Sequence, residues 1–176
     1  MYPYEAHFQW KWVEQFNPPL TIPDQNTLTN ALIMEMQSRL SALFQQKLAS
    51  TGHSFQITSV NTTIGNYSVS GNTVNIGNVT PCETVIYFLL DVAGGSTIVV
   101  FNMSSSESQG PLGGGQMTML KIWIFDPTTG QTTAGTISTG SSWVAPAAVL
   151  GILAVAGLAA YASLSGRPQK HKIKRR

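Results

Sequence analysis

The sequence holds one cysteine, Cys82, so no intrachain disulfide can staple it. A lone cysteine in a strand-like segment is read as a small buried hydrophobe. Only 10% of its residues are charged. Three histidines, His7, His53 and His171, fall in unrelated segments. No His-x-x-His, Cys-x-x-Cys or His-Glu pair is present, so no metal site is expected. The Gly-x-Ser-x-Gly elbow of hydrolases is missing too. Gly113-Gly114-Gly115 is followed by strand-like residues and not by Lys-Ser/Thr and a helix, which excludes a phosphate-cradling loop. These absences point away from an enzyme, and no cofactor is expected.

The hydrophobic residues that are present are unevenly spread. Residues 143–164, WVAPAAVLGILAVAGLAAYASL, run for 22 residues without a charge. At about 1.5 Å per residue, such a helix spans a hydrocarbon core of roughly 30 Å. Trp143 opens the run and Tyr161 sits near its end, where aromatic rings favour the membrane–water interface. A transmembrane helix is therefore expected over 143–165. Ala147, Gly151 and Ala154 share one face of it, and Ala156 and Ala160 form a second small-x-x-x-small pair. Small residues allow close helix approach in lipid, so these five are the candidate packing residues for self-association.

Charge is split along the chain. Residues 1–166 carry four basic residues, Lys11, Arg39, Lys47 and Lys121, against all eight acidic ones, a net charge of −4. Arg167, Lys170, Lys172, Lys174, Arg175 and Arg176 give the tail +6. The positive-inside rule places this tail (166–176) on the inner side and the domain outside. There it can hold anionic headgroups, or nucleic acid if the inner side faces a packaged genome. Four N-x-Ser/Thr sequons, at Asn61, Asn66, Asn78 and Asn102, become glycosylation candidates in an exported domain. The first residues, MYPYEAHFQWKWVEQF, have no basic region followed by an apolar core. That pattern favours the opposing topology, a tail-anchored cytoplasmic adaptor.

Periodicity divides the rest. Residues 7–16 alternate, with Phe8, Trp10 and Trp12 on one face of a predicted strand. After the proline-stiffened 17–23, Leu28, Leu32, Met36, Leu40 and Phe44 recur every fourth residue and predict an amphipathic helix over about 24–50. Thr21 or Asp24 is its expected cap, and Gly52 its left-handed terminator. From 54 to 138 the pattern is strands: 55–60, 64–69, 74–79, 84–91, 97–102, 116–126 and a weaker 131–138, separated by turn residues. Residues 84–91 and 97–102 read as a central hairpin buried on both faces, and 104–115 as a Ser/Gly loop.

The expected organisation is an α+β or β-sandwich-like antiparallel domain with one helix (1–132), a Gly/Ser/Thr stalk (133–142), the transmembrane helix and the basic tail. The expected function is structural: a domain displayed on a virion membrane or cell surface, packing with copies of itself or with coat or surface-layer proteins. The alternative is a receptor-binding protein or adhesin, in which Trp10, Trp12 and the 104–115 loop bind a glycan or host protein.

Overall fold

The computed structural model describes residues 1–16, 22–95, 102–104, 106–108 and 115–138, all within the first of the two units into which the chain divides, Met1–Ala145. The predicted membrane segment with its five packing residues, and the whole basic tail, lie outside the described residues. No helix among the described residues is long and apolar enough to cross a membrane.

The elements are β1 (Tyr2–Gln15), α1 (Gln25–Ala49), β2 (Phe55–Thr63), β3 (Tyr67–Ser70), β4 (Thr73–Ile76), β5 (Cys82–Leu90), β6 (Asn102–Ser104), β7 (Ser106–Ser108), β8 (Gln116–Asp126), β9 (Gln131–Ala134) and β10 (Thr136–Ser138). Eight strands form one antiparallel sheet built around β1. One edge of β1 pairs with β5 along Tyr2–Trp10 and then with β4 along Trp12–Gln15. Its other edge pairs with β8 along Glu5–Val13. Outside β5 lies β2, outside β4 lies β3, and β7 and β9 flank β8. A small parallel pair, β6 with β10, stands apart.

The N-terminal strand takes the centre because its alternation is the most apolar in the chain. Tyr4, Ala6, Phe8, Trp10, Trp12 and Phe16 are all buried. Cys82, Ile86, Phe88 and Leu90 extend that face on β5, and Met117, Met119, Ile122 and Ile124 extend it on β8. The helix stripe Leu28, Leu32, Met36, Leu40, Leu43, Phe44 and Leu48 joins the same cluster. Phe44 meets Phe8 and Phe88 edge-on at 6.3 and 4.8 Å. Each buried indole keeps a partner: Trp10 Nε1 donates to Thr84 Oγ1 at 3.1 Å and Trp12 Nε1 to Glu14 Oε2 at 3.2 Å.

Asp24 is the helix cap, its carboxylate accepting from the Thr27 amide at 3.0 Å, while Thr21 falls outside the described residues. Gly52 and Gly71 take positive φ, 74° and 57°, at the expected turn positions. Glu35 and Arg39 form a buried ion pair one turn apart on the edge of the helix stripe, a polar insertion that the leucine spacing does not announce.

Several expectations are corrected. The strands are not a sequential meander, because β1 inserts between β5 and β8. Strand 84–91 does not pair with 97–102: both edges of β5 are already occupied by β1 and β2, and Asn102–Ser104 pairs with Thr136–Ser138. Nor is β5 buried on both faces; it alternates buried and half-buried along its length. Within the supposed 104–115 loop, Ser106–Ser108 pairs with the start of β8. Pairing also continues to Ser138, into the residues assigned to the stalk. Among the described residues the main sheet is covered on one face by α1, giving an antiparallel sheet with one helix and no second stacked sheet of comparable size.

Candidate functional site

Residues that alternate with the core positions project from the other face of the sheet. Register assembles them into cross-strand rows, because paired residues in antiparallel strands share a face. One row reads Asn61–Val85–His7–Trp123–Ala134 across β2, β5, β1, β8 and β9. The next is Ser59–Tyr87–Glu5–Phe125–Thr132, and on the other side lies Thr63–Glu83–Gln9–Lys121. Val85, Tyr87, Leu89, Trp123 and Phe125 are each half-buried here. Such a concentration of apolar side chains on the uncovered face of a sheet marks an interaction surface.

His7 is the centre of this face. Its Nδ1 lies 2.9 Å from Glu83 Oε1 and its Nε2 2.9 Å from Glu5 Oε2. Ionised carboxylates only accept, so both bonds form together only when both ring nitrogens carry protons. The ring stacks on Trp123 at 4.7 Å with planes 10° apart. Lys121 Nζ approaches the same indole at 4.8 Å, a cation–π contact. Trp123 is thus engaged by two neighbours of its own chain. The Glu5–His7–Glu83 cluster is likewise closed on itself, with both nitrogens committed.

A β-bulge adjusts this face. Register shifts between Gln9 and Trp10, so Leu120 is the extra residue on β8 and is left 41% exposed. Without that insertion the alternation of β8 would invert, and Trp123 would turn into the core.

The sites named from sequence are distributed differently. Trp10 and Trp12, offered as an exposed aromatic patch for a glycan or host protein, are 0% and 1% exposed and belong to the core. The adhesin reading therefore loses its aromatic pair, since each indole packs on the helix side of the sheet. Cys82 is buried and accepts a weak bond from the Gly65 amide at 3.2 Å, and burial pushes its thiol up from the ordinary range. Asn61 is exposed on β2 and Asn78 is exposed in the loop before β5. Asn66 is half-buried, its side-chain oxygen accepting from the Val79 and Thr80 amides at 2.7 and 2.9 Å. The side chain of Asn102 lies outside the described residues.

Sequence reading did not single out His7, Glu5, Glu83, Lys121 and Trp123 as a group. The signal was the same alternation that located the core: odd positions of 5–11 and 121–125 are polar or aromatic partners of the even-numbered core positions. Their adjacency depended on pairing between segments some 110 residues apart. Among the described residues, no three metal-ligating side chains converge. A shallow groove between α1 and β2, bordered by Met34, Gln37, Ser41 and Val60, has no titratable group. There Gln37 Nε2 donates to the Val60 carbonyl at 3.2 Å and blunts the β2 edge.

No protein-family model, curated protein or solved structure matches the chain.

Proposed function

We propose that this chain is a non-enzymatic, single-pass membrane-anchored structural protein. It displays its β-rich domain on the outer face of a virion membrane, an envelope or a cell surface. The observation that carries this reading is the 22-residue uncharged run 143–164, followed at once by six basic residues. The fold supports it from the other side. Every residue of the hydrophobic core cluster lies between Tyr4 and Ile124, so the domain closes its core without drawing on the run. An apolar segment of that length which the core does not use is best satisfied by lipid. The basic tail then contributes about 1 kcal/mol per residue toward an anionic inner leaflet. Nucleic acid is its ligand only where that side faces a packaged genome.

The test is alkaline extraction of membranes from cells expressing the full chain or a chain ending at Ser142. The full chain is expected to stay with the lipid while the shortened one is released in folded form. Release of the full chain by alkali would overturn the proposal. Protection of the domain from the outside, with the tail accessible, would leave the anchor standing and favour the tail-anchored cytoplasmic adaptor.

A further inference from the structure

We propose that the outer face of the sheet is a self-docking surface, which packs against the same face of a second copy about a twofold axis running close to β1. This deepens, and rests on, the reading of the chain as an assembling surface component. Two observations carry it.

The first is size. Five adjacent strands at about 4.8 Å spacing, each contributing about nine residues at roughly 3.3 Å, make a face of about 700 Å². A stable protein–protein interface buries about 800 Å² per partner, with smaller specific ones near 600 Å². The face is large enough for a sheet-on-sheet contact, and its half-buried Val85, Tyr87, Trp123 and Phe125 supply apolar area at its centre.

The second is charge. Glu83 and Lys121 flank Gln9 in one row, Glu83 on β5 and Lys121 on β8. A twofold axis along β1 exchanges the β5 and β8 sides. It sets Glu83 of each copy over Lys121 of the other, making the pair twice. The same operation lays Tyr87 over Phe125 and Val85 over Trp123 in the neighbouring rows. Glu5 and His7 fall near the axis and are already bonded to each other. The face is therefore complementary to itself, as an isologous interface requires.

One consequence concerns the sequons. Asn61 stands in the His7 row, so a glycan there would rise from the docking face and exclude the second copy. The assembled protein is accordingly unmodified at Asn61, whereas Asn78, in the loop before β5, can carry a glycan without obstruction.

The experiment uses the full chain in native membranes. Gln9→Cys places a thiol near the axis, and buried Cys82 does not compete with it. Oxidation is expected to yield a disulfide-linked dimer with Gln9→Cys and none with Thr129→Cys, in the turn after β8. Adding Glu83→Lys or Lys121→Glu alone sets like charges against each other and is expected to reduce the dimer at least about tenfold. Co-expressing the two variants restores it. In the mixed dimer the lysine introduced on β5 of one copy faces the glutamate introduced on β8 of the other, and the unaltered Lys121 and Glu83 face each other across the axis. That rescue also shows that both variants are folded. Equal cross-linking at positions 9 and 129, no cross-linking at 9, or charge variants that fail to rescue each other would overturn the proposal. If cross-linking fails while the chain still resists alkaline extraction, self-docking falls and the membrane anchor stands.

Discussion

His7 on β1 lies flat against Trp123 on β8, with ring centroids 4.7 Å apart, and the two rings belong to segments at opposite ends of the domain sequence. With Lys121 also on the indole, Trp123 is held by cross-strand contacts and not by the core. Trp123→Ala should therefore cost about 1–2 kcal/mol. Trp10→Ala, which empties a fully buried site, should cost about 3–5 kcal/mol. Denaturant titration of the full chain in detergent measures both. Equal losses would contradict the assignment of the two tryptophans to opposite faces.

Two glycines are fixed by close approach. A Cβ on Gly65 would stand 1.8 Å from the Thr80 carbonyl oxygen, and one on Gly115 would stand 2.1 Å from the Trp12 ring. Gly65→Ala meets backbone, which cannot rotate away, and is expected to cost about 3 kcal/mol or more. At Gly71 the added methyl meets open space, and only its φ of +57° resists, so Gly71→Ala should cost about 1 kcal/mol. Thermal melting of the two variants checks the order.

Thr84 is wholly buried and accepts from Trp10 while bonding Thr62 at 2.9 Å. Thr84→Val preserves the shape but leaves the Trp10 indole N–H buried without an acceptor. The expected loss is about 1–3 kcal/mol. Adding Trp10→Phe to Thr84→Val removes the orphaned donor, so the Thr84→Val penalty measured in that background should shrink. An unchanged penalty in a double-mutant cycle would refute the coupling.

Glu14 faces the core beside Trp12 and is 2% exposed. Burial pushes its carboxyl above the ordinary range, opposed by the bond from Trp12. A carboxyl raised on folding holds its proton more tightly in the folded state. Its contribution to stability is thus fully present below the unfolded-state value, about 4.3, and fades as pH rises through the higher folded-state value. Glu14→Gln is expected to raise stability at neutral pH and to leave it nearly unchanged near about pH 3. Equal effects at both would show that the carboxylate is not desolvated.

The elements were legible where the signal is local. Fourfold leucine spacing located α1 to within a residue at each end, and 116–126 was read with the observed bounds of β8. Alternation over 7–16 put Phe8, Trp10 and Trp12 on one face, and the structure puts that face inside. Sheet order was not legible. Nothing local tells β1 to separate β5 from β8, since that choice depends on which strand buries most on both its neighbours. The apolar runs 84–91 and 97–102 suggested a hairpin because proximity in sequence is the commonest pairing cue, yet β2 competes for the same edge of β5 and wins it. The outer face was hidden for the same reason: His7, Glu83 and Trp123 are inconspicuous until register brings them together.

The most direct test is the sidedness of the chain. Cys82 is buried and unreactive toward large thiol reagents, so single cysteines can be introduced at Thr129, exposed in the turn after β8, and at Gln169 in the tail. Intact cells or particles are treated with a membrane-impermeant maleimide before and after permeabilisation. With the domain outside, Thr129→Cys is labelled at once and Gln169→Cys only after permeabilisation. Labelling in the reverse order would contradict that topology, placing the domain inside and leaving the chain a tail-anchored adaptor.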